Sequence, residues 1–487
     1  MLSATPIPCA KKTMSKELPS RYKLPELHSG RKHCNWCSPF PSRSKIFPEN
    51  QELLEYYSKS RIQYTFGQGI VTCKMSLDVN ISEPDEFNCV ELHSAIENVA
   101  KIMKFTDFSY HVDYLNGSGY IANVFRVILT ENSCDKNASV IVKTLINTAR
   151  KELFCELHNR EVKAYTHIIN IFKKLQNEID ESKRIILPKC VYSSNEKGNE
   201  VLIFEDLLVN GFEVNCSLAT NNKLEFSQVS LIFSELAKFH GLSHVFERND
   251  SNLYNEMTEE FTDLLFQYSF LNKSKLRDYF TDSFEMSLHV ITNLEVKVKL
   301  ETIKPKLLSL FQNYVKPKKT NVFCHGDFWI NNILFREKDL CFLDFQTMRY
   351  ANPVTDMIYF LYICTDSQFR SEYIERLINI YYNSFKTFLS LFNIEADNIY
   401  SKEELIKDVE ENKVLGLLIA LVEMRIVATE SEKYIDSNAK AISEMDLTKI
   451  PAEENDNLFR LRINDVVTES AENGVLDKLL DASITIT

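Results

Sequence analysis

A polar loop between two short apolar segments limits the possible folds of this chain more than any other feature. The loop runs from His325 to Asn332 and contains Asp327 together with paired asparagines. The flanking segments, Thr320 to Cys324 and Leu340 to Phe345, have the length and residue types of buried strands. Apolar residues on either side recur at helical spacing. The second half is therefore predicted to be helical, with these two strands enclosing the loop.

The first half contains the pattern of a small sheet. Val124 to Leu129 and Val140 to Val142 are rich in β-branched residues and are separated by a polar turn, which predicts an antiparallel hairpin. Val201 to Phe204 is a further apolar segment and predicts a buried strand. Because Glu205, Asp206 and then a turn-forming Asn-Gly pair come next, a connector is predicted to follow this strand.

Amphipathic helices are predicted to follow the hairpin and the connector. The first contains Glu161 on or beside its inward face, because the apolar residues around Glu161 recur at helical spacing. A carboxylate in that position is unusual enough to require a partner. The second helix contains Val229 and is predicted to stop at Gly241, since glycine commonly follows the last helical residue.

The composition of the chain changes near residue 60. Residues 1–60 are rich in Lys, Arg, Ser and Pro without periodicity, and we predict that they form a disordered extension. Within them, His33, Cys34 and Cys37 form a cluster that would require two more ligands to bind zinc. Met1 to Lys16 lacks acids, as mitochondrial presequences do, but it also lacks Arg and a clear amphipathic face. Residues 61–208 are predicted to form a sheet-containing lobe and residues 209–487 a helical lobe.

Composition excludes several classes of protein. A hydrophobic content of 44% in 487 residues excludes a wholly disordered chain, and a net charge of −12 argues against nucleic acid or an anionic membrane as the main partner. The longest apolar runs, such as Val414 to Val422, are shorter than the roughly 18 residues of a membrane span. Because Met1 to Lys16 lacks a secretory core, the 12 cysteines are expected to be reduced and the protein to be cytoplasmic.

The residue types of the polar loop fit phosphoryl transfer. That reaction requires a carboxylate near the attacking hydroxyl, and an amide and a second carboxylate that hold Mg²⁺ against the nucleotide phosphates. Asp327, Asn332 and, after the second strand, Asp344 supply this set. Oxygen ligands suit a hard cation, and the nearby His and Cys residues do not form a zinc-ligand pattern. The alternative is that the loop residues only cap backbone groups, as they do in many turns.

Residues of the first half extend this pattern. A glycine turn, Gly117-Ser118-Gly119-Tyr120, precedes the first hairpin strand, Lys143 ends the second strand, and Glu161 lies in the following helix. A glycine turn between strands exposes backbone N–H groups to phosphates, while a strand lysine pairs with their charge and is held by a helix glutamate. Each feature alone is common in turns and strands. Their order along the chain is what indicates a phosphate-binding site.

Five segments together resemble a known family. They are, in chain order, ELHNREVKAY, LIFEDLLVNGF, ELAKFHGLSH, CHGDFWINNILF and FLDFQTMRYANPVTDMIYFL. The combination resembles the ecdysteroid kinase-like family, also called CHK-kinase-like, which belongs with aminoglycoside phosphotransferases and choline kinases in the protein-kinase-like superfamily. The resemblance implies an α+β, protein-kinase-like, two-lobed fold. The N-lobe would be an antiparallel sheet with a helix, and the larger C-lobe would be mostly helical.

The resemblance also implies roles for individual residues of the catalytic set. Asp327 would be the catalytic base that orients the acceptor hydroxyl. Asn332 and Asp344 would complete that set as Mg²⁺ ligands. Lys143 would contact the α and β phosphates of ATP and would pair with Glu161.

Further roles concern the nucleotide and the scaffold. Residues 117–120 would cover the phosphates. The adenine would lie against backbone groups of the connector, formed by Glu205, Asp206 and Leu207. Two residues would brace the catalytic loop, His325 and Asp356.

The implied function is an ATP- and Mg²⁺-dependent kinase that transfers the γ-phosphoryl group to a hydroxyl of a small, lipophilic acceptor such as an ecdysteroid. The lack of an APE-like segment after Asp344 argues against protein acceptors. One alternative is a nucleotide-binding pseudokinase or interaction protein, because the chain has Gly119-Tyr120-Ile121-Ala122 where family members often have Asn-Tyr-x-Ser. Another is a metal-binding scaffold built on Cys34 and Cys37. Neither the acceptor nor the oligomeric state is predicted.

Overall fold

The computed structural model describes residues 61–486 apart from 68–69, 76–88, 115–121, 146–150, 215–223, 275 and 429–453. The predicted extension of residues 1–60, with its cluster of His33, Cys34 and Cys37, lies outside the described residues, as does the glycine turn of residues 117–120. None of the helices in the described part of the chain is long and apolar enough to cross a bilayer. Free cysteines are found at positions 134, 155, 190, 324, 341 and 364.

A seven-stranded sheet forms the N-terminal part, with its strands in the order β2-β1-β3-β4-β5-β7-β6. All of its paired strands are antiparallel. The predicted hairpin is confirmed, because β4 and β5 pair with Val124 opposite Lys143, and so is the buried strand β7. The strands are β1 (Arg61–Gly67), β2 (Ile70–Met75), β3 (Phe108–Tyr114), β4 (Ala122–Glu131), β5 (Asn137–Leu145), β6 (Cys190–Ser194) and β7 (Val201–Glu205).

The two faces of this sheet pack against different helices. On one face, Val140 and Val142 are buried with the apolar side of α1 (Cys89–Ile102). Alternate residues of a strand point to opposite faces, so Lys143 lies on the other face. That face packs against α2 (Lys151–Lys163), which continues through a π-helical turn, Ala164–Ile169, into α3 (Asn170–Leu175). The alternation therefore directs Lys143 toward α2.

The C-terminal part is mostly helical, and the largest hydrophobic core in the described part of the chain extends from it to α2 and the sheet. Together with the antiparallel N-terminal sheet and its helices, it makes an α+β, protein-kinase-like, two-lobed fold. The helices after the sheet are α4 (Phe226–Asn249), α5 (Ser251–Glu260), α6 (Tyr268–Ser274), α7 (Leu276–Val290), α8 (Leu294–Glu301), α9 (Leu307–Val315), α10 (Val354–Cys364), α11 (Ser367–Ser390), α12 (Lys402–Ala428), α13 (Glu454–Glu472) and α14 (Val475–Thr485).

Short strands interrupt the helical part around the polar loop. The two strands predicted there do not pair with each other: β9 (Val322–Cys324) pairs with β12 (Arg349–Ala351). The second, β11 (Asp339–Phe342), pairs with β10 (Ile333–Arg336), which also pairs with β8 (Glu213–Val214). β11 ends before the predicted Phe345, because Asp344 has a φ of 66° and extended structure does not continue through such a residue.

The predicted helix stop at Gly241 is wrong, because α4 continues eight residues further to Asn249. Gly241 lies inside the helix where another helix approaches closely. A Cβ at this position would lie 3.0 Å from the ring of Phe388 on α11. The glycine therefore serves packing between α4 and α11, and packing overrides its low helix propensity.

A buried ion pair ties α13 to the rest of the helical part. Arg370 on α11 is 1% exposed, and its Nε donates to Glu469 on α13 at 3.0 Å. Its Nη1 donates to the carbonyl oxygens of Leu361 and Thr365, at 3.2 and 2.5 Å. The last helices are thereby part of the same packed body as α10 and α11.

We expect Glu469→Gln to lower the free energy of unfolding by about 3 kcal/mol, because it leaves the buried Arg370 charge with only the more distant carboxylate of Asp465, at 3.8 Å. Thermal or denaturant unfolding measures the loss. The matched control is Glu411→Gln, whose carboxylate is half exposed beside Lys318 and Lys407 and is expected to change stability by less than about 1 kcal/mol. Equal effects of the two variants would contradict the structural role of the buried pair.

Candidate active site

The polar loop begins with a backbone conformation that only glycine adopts easily. Gly326 follows β9 with a φ of 88°. A Cβ at this position would lie 2.2 Å from the carbonyl oxygen of Thr347, which leaves no room for any side chain. The Gly326 carbonyl oxygen accepts a hydrogen bond from Nη1 of buried Arg349 at 3.1 Å. Glycine is therefore required before Asp327 for two reasons: the positive φ, and the lack of space for a Cβ.

Asp327 lies at the centre of the loop and is 1% exposed. The hydroxyl of Tyr359 donates to its Oδ1 at 3.1 Å. The side-chain amide of Asn332 donates to the Asp327 carbonyl oxygen at 2.9 Å and to its Oδ2 at 3.2 Å. Because Nδ2 of Asn332 faces Asp327, the amide oxygen Oδ1 is directed to the other side. Both carboxylate oxygens of Asp327 are held in place by neighbouring donors.

Asp344 is placed by an unusual backbone at the end of β11. Its φ of 66° is left-handed, a conformation that costs free energy for a residue with a Cβ and is concentrated at functional sites. The backbone N–H of Asp344 donates to the hydroxyl of Tyr165, which lies in the π-helical turn after α2, at 3.3 Å. The strained turn directs the Asp344 carboxylate toward the N-terminal sheet.

A buried triad joins the two lobes at this point. Nζ of Lys143 donates to Oε2 of Glu161 at 2.7 Å and to Oδ1 of Asp344 at 2.9 Å. Burial opposes the charge of Lys143, but the two carboxylates outweigh it and raise the pKa of this lysine above its usual value. Burial also raises the pKa of Glu161 to about 7, against the opposing effect of Lys143. The carboxylate predicted to require a partner has one in Lys143.

Leu343 connects the triad to the polar loop. Its backbone N–H donates to the carbonyl oxygen of Asn332 at 2.9 Å. Its carbonyl oxygen lies 2.7 Å from Nε2 of His325, which must be the protonated ring nitrogen because a carbonyl only accepts. Burial lowers the pKa of His325 and so favours the neutral ring. Asp327 and Asn332 therefore lie in the same site as Lys143 and Asp344.

Asp356 at the start of α10 fixes the backbone of the polar loop by hydrogen bonds. Its carboxylate accepts the backbone N–H groups of His325 and Gly326, at 2.6 and 3.0 Å. Nε2 of His240 on α4 donates to the same carboxylate at 3.1 Å. Cys324 lies beside His240 and Asp356, but its Sγ donates to the carbonyl oxygens of residues 351 and 352. His325 and Asp356 have the bracing contacts predicted for them, and this cluster belongs to the scaffold.

The connector after β7 lies at the other side of the sheet from α1. The backbone N–H of Glu205 donates to Lys189 at 3.0 Å. The Asp206 carboxylate is bound by Nε of Arg126 at 2.7 Å and by the hydroxyl of Ser139 at 2.6 Å. The connector continues from Leu207 as a short 3₁₀ turn, and Oδ1 of Asp206 accepts the backbone N–H of Leu208 at 3.0 Å. Both oxygens of the Asp206 carboxylate are therefore occupied by hydrogen bonds within the protein.

The structure brings five of the predicted site residues together in one place. The other predicted site residues lie in the connector or outside the described residues. Glu205, Asp206 and Leu207 form the connector, while Gly117, Ser118, Gly119 and Tyr120 lie outside the described residues. Sequence reasoning missed Tyr359, Tyr165 and His240. Tyr359 lies three residues after Asp356 on α10, so helical spacing alone would have placed it beside the loop. The five that converge are Lys143, Glu161, Asp327, Asn332 and Asp344.

We expect Gly326→Ala to lower the free energy of unfolding by about 2 kcal/mol or more and to reduce any turnover at least about 100-fold. A methyl group cannot enter the space beside Thr347 without displacing Asp327. The matched control is Gly474→Ala, since Gly474 has a φ of 69° but nothing within 4 Å of its Cβ position. That variant is expected to lose about 1 kcal/mol from backbone strain alone. Similar losses in both variants would contradict the steric account of Gly326.

The chemistry of the donor set fits a hard divalent cation. Asn332 and Asp344 offer amide and carboxylate oxygens, and Nε2 of the neighbouring His325 is occupied by the Leu343 carbonyl oxygen. The Lys143 ammonium faces the same space and supplies the positive charge that anionic phosphates need. This arrangement can hold a metal-bound polyphosphate beside the Asp327 carboxylate.

Comparison with known families and structures adds to this geometry. The sequence model of the ecdysteroid kinase-like family matches residues 116–394. No curated protein sequence matches the chain. Among solved structures, a choline kinase from Cryptosporidium parvum Iowa II is similar, with 13% identity and a TM-score of 0.43 over 77% of this chain and 92% of that one. An amicoumacin kinase in complex with AMP-PNP, Ca²⁺ and Ami has 12% identity and a TM-score of 0.37, with 73% and 88% of the two chains covered.

Proposed function

Because the chain belongs to the ecdysteroid kinase-like family of small-molecule kinases, we propose that it is an ATP- and Mg²⁺-dependent phosphotransferase with an alcohol acceptor. The γ-phosphoryl group of ATP is transferred to a hydroxyl of a small, lipophilic compound, such as an ecdysteroid or a related alcohol. The observation that carries the proposal is the convergence of Lys143, Glu161 and Asp344 from two lobes beside Asp327. Isolated capping residues would not be expected to meet in one buried site.

The proposal assigns a role to each residue of the site. Asp327 accepts the proton of the acceptor hydroxyl and orients it, and Tyr359 and Asn332 keep the carboxylate in place. Lys143 binds the α and β phosphates, and Glu161 holds its ammonium toward them. Because the transferred group carries high negative charge in the transition state, positioning and charge compensation supply most of the catalysis.

Asn332 and Asp344 are the proposed Mg²⁺ ligands, through the amide oxygen and the carboxylate. When bound, the metal ion neutralises charge on the phosphates and fixes their orientation. The adenine would lie against backbone groups of Glu205, Asp206 and Leu207, and residues 117–120 would cover the phosphates.

These roles assign different functions to the two lobes. We assign nucleotide binding to residues 61–208 and the catalytic loop with the acceptor site to residues 209–487. Residues 1–60 are proposed to be an extension outside both lobes. The free thiols at positions 324, 341 and 364 are buried, which suits the reducing cytoplasm as the site of action.

The test is ATP consumption by the purified chain with Mg²⁺ and a panel of hydroxylated compounds rich in steroids, with products identified by mass. A product that carries one added phosphate, and that requires both ATP and Mg²⁺, is expected. Thermal stabilisation by nucleotide without any phosphorylated product across the panel would instead favour a pseudokinase.

A further inference from the structure

Glu423 is a buried acid in the described part of the chain that none of the roles above uses. It lies on α12, beyond the residues that the family model matches, and it is 2% exposed. Its Oε1 makes no hydrogen bond to any described residue. A buried carboxyl oxygen without a hydrogen bond destabilises the folded state. Such a group is therefore a candidate for binding something other than the protein itself.

The packing of α12 against α10 brings Glu423 close to Asp327. Helices α12 and α10 approach closely, because a Cβ at Gly416 would lie 2.4 Å from the ring of Tyr362. Tyr359 is one turn before Tyr362 on α10 and hydrogen-bonds to Asp327. The charges of Asp327 and Glu423 both add to the effect of burial in raising the pKa of Tyr359. Asp327, Tyr359 and Glu423 therefore form one cluster.

The electrostatics of this cluster indicate the form in which Glu423 binds. Burial raises the pKa of Glu423 to about 8, and the Asp327 charge adds to this effect. The nearest arginine along α12, Arg425, directs its guanidinium to the sulfur of Met286. At neutral pH the carboxyl group is therefore mostly protonated, with one O–H donor and one acceptor oxygen.

We infer that Glu423 is a specificity-determining residue of the acceptor site, where its carboxyl group hydrogen-bonds to a second, neutral oxygen of the acceptor. The acceptor thus has a further hydroxyl or carbonyl besides the hydroxyl that is phosphorylated. This inference rests on the proposed kinase function. Because Asp327 and Glu423 are both buried and interact electrostatically, an acceptor bound at Asp327 is also close to Glu423.

The test uses three defined probes with ATP and Mg²⁺: 20-hydroxyecdysone as a neutral polyhydroxylated steroid, cholesterol as a sterol with one hydroxyl, and choline as a cationic alcohol. The variants are Glu423→Leu and Glu423→Gln. The matched control is Glu410→Gln, because Glu410 lies on the same helix with its side chain half exposed beside Lys413. The amount of phosphorylated product, the KM for each substrate and kcat are measured for every combination of protein variant and probe.

We expect wild type to prefer the polyhydroxylated probe. Glu423→Leu should raise its KM about tenfold, as expected for the loss of one buried hydrogen bond, while the KM for ATP stays near the wild-type value. Glu423→Gln should behave like wild type, because the amide is neutral and both donates and accepts. Glu410→Gln should change nothing. Glu423→Leu should also unfold at the same or a higher temperature, since it removes a buried polar group.

Three outcomes would overturn the inference. The first is a preference for cholesterol or choline. The second is a loss in Glu423→Gln as large as in Glu423→Leu, which would indicate an ionised carboxylate that binds a cation. The third is no product from 20-hydroxyecdysone although Mg²⁺-ATP still stabilises wild type, in which case nucleotide binding stands without this acceptor class. The proposed kinase function itself fails only if no compound of the wider panel of hydroxylated compounds yields a phosphorylated product.

Discussion

Asp327→Asn is expected to reduce phosphoryl transfer about a thousandfold while leaving the binding of Mg²⁺-ATP nearly unchanged. The amide has the shape of the carboxylate and still accepts the hydrogen bond from Tyr359, so the loop should keep its position. It cannot accept the proton of the acceptor hydroxyl, and general-base catalysis of this kind contributes about 10²–10⁴ in rate. Steady-state kcat measures the loss, and nucleotide-dependent thermal stabilisation measures binding.

The control for this prediction is Asp339→Asn. Asp339 lies on β11 a few residues before the active site, but its carboxylate is half exposed and pairs with Arg336 at the surface. That variant should retain wild-type turnover. A turnover of Asp327→Asn above about a tenth of the wild-type value would be incompatible with a base at Asp327, because a bystander carboxylate near the site predicts such a small loss.

Much of the site could be predicted because phosphoryl transfer demands particular residue types. The strand that carries Lys143, the helix that carries Glu161 and the loop with Asp327 were all recognisable from local patterns. The predicted end of that strand at Lys143 is wrong, because β5 continues to Leu145. Alternation in β5 directs Lys143 away from Val142 and toward α2, which agrees with the pairing of Lys143 and Glu161 that the family resemblance implies.

Other features depended on contacts between distant parts of the chain. Gly241 has the appearance of a helix stop, but its role is set by the Phe388 ring, which lies far away in sequence. Tyr165 is one of the apolar residues that recur at helical spacing around Glu161, and that pattern assigns no role to its hydroxyl. The π-helical turn around it, which presents its hydroxyl to Asp344, has no simple sequence pattern. The left-handed backbone of Asp344 is likewise maintained by tertiary contacts against its own local preference.

The acceptor site is the part that sequence patterns define least. A pocket for an apolar molecule can be built from many interchangeable side chains, so no spacing identifies it. Glu423 is recognised as a candidate acceptor-binding residue only from the structure, which places it near Asp327 and Tyr359 without a hydrogen bond to Oε1. On α12 the residue stands among apolar neighbours, and its sequence context carries no motif.

Lys143→Met is expected to remove activity and stability together. Without the ammonium, Glu161 and Asp344 are left as two buried carboxylates on either side of an empty position. Breaking a buried ion pair in this way costs about 3 kcal/mol of folding free energy. Loss of a preorganised positive charge on the phosphates should lower kcat at least about 100-fold. Thermal unfolding and steady-state kinetics measure the two effects separately.

The double variant Lys143→Met/Glu161→Gln separates these two consequences. Neutralising Glu161 removes the uncompensated charge, so most of the lost stability should return, because an apolar or neutral replacement of a whole buried pair is often well tolerated. Activity should not return, since no cation faces the phosphates. If stability and activity recovered together, the triad would act only on folding. If neither recovered, Asp344 would be the carboxylate whose charge Lys143 mainly compensates, and Asp344→Asn in the Lys143→Met background should then restore the fold instead.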